Sequence, residues 1–439
     1  MKALRALCTF AVASVLAIGP SVSSAQDAKR LMITGDSSVP ELAAKKQYAY
    51  VHNFRIGGKY DLDNRKSWEF GGVGGVTLES LGQGPMRIGY ITEGTPERNA
   101  AGEIINAVVI NTFYSGDSAA MHNFWMDGGK LNGFSKGAVV GKGKLIDTDK
   151  YFVVFLDALG LWGASKPSDG LGLKFPKYGY YDIVQANYRV LRDTLNIGKV
   201  KLVTGLSSGG TFTYVWGIMH SADGFVESMI PVAAVPVADS VFLYTFNLMQ
   251  SALLSDPVWR ATGGNYYHLP KDQHPNQGVM FAWSMLAHTG FDLHFQDKRP
   301  SNQVKVEVFS WHPKPGQGTA LVQKAKDFDA VDLYYRNSDE LAYYDAGKDL
   351  SRIKARCMDI HIESDQWVLI EHAREVASRA KCHLESFSSP IGHYAVFQAF
   401  NILKDKIEPF VNDKWVGSAV AAGVTPSATV AGKPVGLAK

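Results

Sequence analysis

Short apolar runs of about four to eight residues, rich in Val, Ile, Leu and Phe, alternate with longer stretches of helical spacing along most of the chain. Runs at 75–81, 86–92, 106–111, 151–156, 200–204, 228–237, 357–362 and 382–387 predict strands. Segments 183–195, 367–377 and 395–411 predict helices. Strands apolar on both faces and separated by helices predict an α/β fold, a mostly parallel central sheet flanked by helices. From about residue 239 to residue 346 the pattern changes. This part is rich in Tyr, Phe, Trp, Met and His at helical spacing and is interrupted by Pro257, Pro270, Pro275, Pro300, Pro313 and Pro315. It reads as an inserted helical cap between core segments 71–238 and 347–415. Residues 26–70 are polar and irregular, an N-terminal extension. The tail 416–439 is rich in Ala, Gly, Val and Pro, has little to pack, and is expected to be disordered.

The first 25 residues stand apart. Lys2 and Arg5 precede an apolar run, 6–18, that ends in Gly19-Pro20 and the small residues Ser23-Ser24-Ala25. This is the pattern of a secretory signal peptide cleaved after Ala25, so a periplasmic or secreted protein is expected. No later segment is long and apolar enough for a membrane anchor. The formal net charge of the 439-residue chain is +3, which gives no reason to invoke nucleic acid. A homodimer is left open. Beyond the leader the cysteines are Cys357 and Cys382. In an oxidising compartment they pair as a disulfide; two buried free thiols are the equal alternative.

The chemistry is concentrated in Val200-Lys201-Leu202-Val203-Thr204-Gly205-Leu206-Ser207-Ser208-Gly209-Gly210. A strand running into G-x-S-x-G and then a helix is a nucleophile elbow, which presents one strained serine at the top of a sheet. Gly205 and Gly209 leave room where strand and helix backbones meet. Ser207 is thereby the candidate nucleophile, and the N–H of Ser208 a candidate oxyanion donor. An ordinary Gly/Ser turn is the competing reading, and the apolar strand before and the helix after weigh against it. Asp365, just past the strand 357–362, is the candidate acid; Glu363 is its rival, and Asp359 should point into the sheet. A plain helix N-cap is the alternative role for Asp365. His393 lies on a loop after the last strand and is the candidate general base. The second oxyanion donor is expected in the loop 112–116, with Tyr114 N–H as the candidate. No ligand spacing suggests a metal, and no cofactor motif is present.

These blocks resemble the α/β-hydrolase superfamily, and within it the homoserine O-acetyltransferase family. The resemblance runs from about residue 75 to residue 411. It rests on the elbow and on Asn106-Ala107-Val108-Val109-Ile110, Leu159-Gly160-Leu161-Trp162-Gly163-Ala164-Ser165, and Phe175-Pro176-Lys177-Tyr178-Gly179-Tyr180-Tyr181-Asp182. Asp256-Pro257-Val258-Trp259, Phe328-Asp329-Ala330 and Gly392-His393 continue it. It implies an α/β-hydrolase fold with a cap, Ser207 as nucleophile, Asp365 as acid and His393 as base. Three departures qualify the activity it implies. The transferases usually show G-G-S-M-G-G where this chain has Gly205-Leu206-Ser207-Ser208-Gly209-Gly210. They usually carry an aspartate after the histidine, where this chain has Tyr394. Their usual T-Y-R-S in the cap is here Ala287-His288-Thr289-Gly290-Phe291, without the arginine. A site lacking those charges suits a zwitterionic amino acid poorly.

The expectation is therefore an exported serine hydrolase that cleaves a small-molecule ester through an acyl-enzyme. O-acyl transfer from acyl-CoA or another donor is the alternative. A non-catalytic protein on a retained fold is a third reading, which an unimpaired Ser207→Ala variant would favour.

Overall fold

The computed structural model describes residues 45–238, 240–290, 328–338, 341 and 344–415. The expected leader (1–25), most of the extension's start, the cap stretch 291–327 and the expected disordered tail (416–439) lie outside the described residues.

Eight strands form one sheet: β1 (Gln47–Val51), β2 (Met86–Glu93), β3 (Ala107–Asn111), β4 (Phe152–Leu156), β5 (Val200–Leu206), β6 (Ser228–Val232), β7 (Arg356–Ile362) and β8 (His383–Phe387). Their order across the sheet is β1-β2-β4-β3-β5-β6-β7-β8. β2 runs antiparallel to both neighbours, and every pairing from β4 to β8 is parallel. The two-residue period explains the layering. In β3, Ala107 and Val109 face one apolar core while Val108 and Ile110 face another; Val203 and Leu202 divide in the same way in β5. The first core is covered by α2 (Tyr180–Arg189), α3 (Ser208–His220) and α8 (Ile370–Ala380). The second is covered by α1 (Ser118–Trp125) and by the C-terminal α9 (Ala399–Ile402) and α10 (Lys404–Val411). Four described helices form the cap: α4 (Ser240–Leu254), α5 (Pro257–Thr262), α6 (Asn276–Thr289) and α7 (Ala330–Arg336). This is the α/β-hydrolase fold.

Several expectations change in detail. Segment 75–81 is not a strand: Val76 makes a single bridge to Ile56 and a 3-10 turn follows at Glu79–Leu81. The neighbouring glycines allow backbone to pass against backbone there, which no pleated run permits; a Cβ on Gly75 would stand 2.6 Å from the Ile56 carbonyl oxygen. The extension is not wholly irregular. Its β1 buries Ala49 and Val51 and exposes Tyr48 and Tyr50, the alternation of an edge strand. β6 ends at Val232 rather than 237, because Ala233 takes a positive φ of 46° and turns the chain towards the cap. Helix 395–411 is broken, with a 3-10 turn at Gly392–Gln398 followed by α9 and α10. Cys357 and Cys382 are joined as a disulfide across β7 and the start of β8.

Candidate active site

The elbow is built as its glycines require. β5 ends at Leu206, α3 begins at Ser208, and Ser207 between them has φ 55° and ψ −122°. For a residue with a side chain this is a strained conformation, held by its surroundings. Ser207 N–H donates to the Val232 carbonyl at 2.9 Å, tying the elbow to β6. A Cβ on Gly205 would collide with the backbone of Gly209, and one on Gly209 would stand 2.5 Å from the Thr112 oxygen. The elbow therefore touches the loop 112–116 directly.

Two further candidates meet Ser207 from the second half of the chain. His393 Nε2 lies 2.8 Å from Ser207 Oγ. His393 Nδ1 lies 2.6 Å from Asp365 Oδ2. His393 and Asp365 are 5% and 3% exposed, so the pair is shielded from water. Asp365 does two jobs: its Oδ1 accepts the N–H groups of Trp367 and Val368 at 2.8 and 3.1 Å. Those bonds fix the carboxylate's orientation and delay the start of α8 to Ile370. The Trp367 ring packs 4.9 Å from the His393 ring. The rival Glu363 points elsewhere, accepting hydrogen bonds from Ser386 and Ser388. Asp359 is wholly buried in β7, as the strand pattern requires. Burial lowers the His361 pKa, and its Nε2 lies 2.9 Å from the Val368 carbonyl, so its role is to support this turn.

The loop after β3 approaches from the other side. Among the described residues the amides of Tyr114 and Ser208 have no hydrogen-bond acceptor. A tetrahedral oxyanion needs donors in this condition. The Tyr114 side chain is buried under the cap, with its hydroxyl donating to Asn337 Oδ1 at 2.5 Å. Its ring packs against Phe246 of α4 and Trp283 of α6. Arg336, 3% exposed, donates through Nε and Nη2 to the Tyr114 carbonyl, each at 3.3 Å. Sequence reasoning missed Arg336 and Asn337, since nothing local marks a charge at the end of a short helix as facing the elbow. The cap also meets the histidine turn: a Cβ on Gly290 would lie 2.6 Å from the Tyr394 ring. No group of three or more metal-ligating side chains converges among the described residues.

No family profile matches the chain. The homoserine O-acetyltransferase of Desulfotalea psychrophila is 34% identical over 217 residues, 47% of this chain and 52% of that protein. The chain thus matches about half the length of that relative. The homoserine O-acetyltransferase of Moorella thermoacetica is 26% identical over 384 residues, 76% of this chain and 93% of that one. Among solved structures, homoserine O-acetyltransferase from Bacillus anthracis superposes with a TM-score of 0.62 at 21% identity, covering 84% of this chain and 97% of that one. An acetylester hydrolase from Corynebacterium glutamicum superposes with a TM-score of 0.64 at 18% identity, covering 87% and 100%. At such identities the structural likeness speaks for the fold. Sheet order, elbow and relatives together make this chain an enzyme of the α/β-hydrolase superfamily, similar in sequence to the homoserine O-acetyltransferases.

Proposed function

We propose that this chain is a serine enzyme that takes the acyl group of a small ester onto Ser207 and passes it to water. The observation that carries this reading is the hydrogen-bonded series Ser207–His393–Asp365. Ser207 Oγ attacks the ester carbonyl while His393 Nε2 takes its proton. Asp365 Oδ2 accepts a hydrogen bond from His393 Nδ1–H and stabilises the imidazolium that forms. Ser208 and Tyr114 N–H groups stabilise the tetrahedral oxyanion, which collapses to acyl-Ser207 as His393 protonates the departing alcohol. Water then attacks with His393 again as base, releasing the acid and restoring Ser207. The aromatic side chains Phe246 and Trp283 beside Tyr114 suit an apolar portion of the ester.

Water is preferred as acceptor because of Tyr394. Where the resemblance implies an aspartate, an uncharged ring stands against Gly290 of the cap. The second reading is O-acyl transfer to a hydroxyl acceptor. The named relatives favour it over hydrolysis, since both carry the name homoserine O-acetyltransferase. The two readings share the acyl-enzyme and differ in its fate. Partition of the acetyl group from p-nitrophenyl acetate and from acetyl-CoA, with and without homoserine, tests them. Hydrolysis predicts acetate equal to p-nitrophenol, indifferent to homoserine, with no CoA release. CoA release that depends on homoserine would overturn hydrolysis in favour of transfer.

The same proposal places the enzyme outside the cytoplasm. The disulfide between Cys357 and Cys382 supports an oxidising compartment, and the leader-like residues 1–25 supply a route to it.

A further inference from the structure

A buried ion cluster lies behind the loop 112–116. Lys46 stands at the entry to β1, in the extension, and its side chain is 1% exposed. Its ammonium lies 2.7 Å from Asp117 Oδ2 and 3.0 Å from Asp157 Oδ2, two carboxylates with no exposed surface. Asp157 follows β4, the neighbour of β3. Asp117 follows the loop 112–116 and caps α1, its Oδ1 accepting Ala120 N–H at 2.8 Å. Asp157 Oδ1 accepts Ser118 N–H at 2.6 Å. Both carboxylates thus sit at the N-terminus of α1, whose dipole favours the excess negative charge.

The surroundings are shaped to this cluster. Gly163 has a φ of 79°, and a Cβ there would collide with the Asp157 carboxyl and stand 2.6 Å from Lys46 Nζ. A Cβ on Gly89, in β2, would also collide with Asp157. Burial opposes the ammonium, but the charges of Asp117 and Asp157 outweigh it and hold the Lys46 pKa above its ordinary value. Burial raises both carboxylates. A lone surface pair would contribute little. A buried charge stripped of its partner is costly, so removing any member forces the others to move or to change protonation.

The loop has two anchored ends. At β3, Asn111 donates through Nδ2 to the Thr204 carbonyl at 3.2 Å and accepts from Trp216 Nε1 at 3.2 Å. At α1 the anchor is the cluster. We propose that Lys46 is a positioning residue for the oxyanion loop: held between Asp117 and Asp157, its ammonium fixes the loop's α1 end and thereby the Tyr114 amide. The N-terminal extension is then part of the catalytic apparatus, delivering a cation that the core does not carry. This rests on the acyl-Ser207 reading above.

The experiment uses the full-length protein with Lys46→Met, which keeps an unbranched side chain and removes the charge. Asp117→Asn is the second variant; it keeps a cap for Ala120 and removes the carboxylate charge. Both are assayed well below their melting temperatures for kcat, KM and inhibition by an alkyl boronic acid that forms a tetrahedral adduct. The expected result is a kcat lower by about 10- to 100-fold, somewhat less than complete removal of an oxyanion donor. KM should stay within about twofold, and boronate affinity should fall in step with kcat. A merely structural cluster would lower the melting temperature and leave kcat and boronate affinity unchanged. That outcome in either folded variant overturns the assignment. Phosphonate labelling of wild-type Ser207 runs beside it: absent labelling would overturn the acyl-Ser207 reading and the Lys46 role together, whereas labelling with unimpaired variants overturns the Lys46 role alone.

Discussion

Ser207, His393 and Asp365 illustrate how few atoms a site needs when each is held from several directions. Ser207 is fixed by its own strained backbone and by the Val232 carbonyl, and Asp365 by two amides besides the histidine. One residue outside the site shows burial that its hydrogen-bond partners, Tyr214 and the Ile360 backbone, only partly offset. Asp359, buried in β7 near Tyr214, is pushed up to about 8 by burial. In the unfolded chain it ionises at about 3.9. Between those pH values the folded protein keeps a proton that the unfolded chain releases, so stability falls as pH rises from about 4 to about 8. Asp359→Asn should therefore gain stability relative to the parent across that window. Thermal melts of both proteins at pH 5 and pH 8 check this; a difference independent of pH would contradict it. What the sequence made legible at this scale follows from local rules. The elbow glycines, and an acid and a histidine each just beyond a strand, are local signals. Arg336, Asn337 and Lys46 were hidden because their partners lie far along the chain.

Elements were legible where burial and period agreed. The inner strands β3 to β6 are buried on both faces and emerged within a few residues of their ends. β1 did not, because an edge strand exposes one face and its two tyrosines interrupt the apolar signal. The helix after Asp365 begins late because the carboxylate engages the amides that a helix would otherwise start from. The contact between α3 and the loop 112–116 gives a direct test of element packing. Gly209→Ala would bring a Cβ within 2.5 Å of the Thr112 oxygen and 3.1 Å of the Asn111 oxygen. Overpacking of this kind costs about 1–3 kcal/mol. The expected outcome is a lower melting temperature and, because the loop 112–116 proposed to hold the oxyanion is what must yield, a kcat/KM reduced at least about tenfold. An unchanged kcat/KM in a stable variant would show that the loop has room to spare.

Over the whole molecule, the chain's two halves are joined at the site: Ser207 comes from the first, Asp365 and His393 from the second, with the cap helices between them in sequence. The disulfide closes the segment that carries Asp365, with a separation of 25 residues between Cys357 and Cys382. A loop of that length stabilises by about 3–4 kcal/mol in the chain-entropy account. Reduction, or the Cys357→Ser and Cys382→Ser pair, should lower the melting temperature by about 3–5 °C. An unchanged melting temperature would contradict it. Composition could not decide this pairing, since two small buried thiols and a disulfide read alike in a sequence; only the register of β7 and β8 brings them together.

If one serine carries the acyl group, a covalent probe of that serine finds it. The protein is treated with a p-nitrophenyl alkylphosphonate and mapped by peptide mass spectrometry while ester turnover is followed. One label is expected, on Ser207, with activity lost in proportion to labelling and no label in Ser207→Ala. Full turnover in a fully labelled protein, or a label on another residue that abolishes activity, would contradict it.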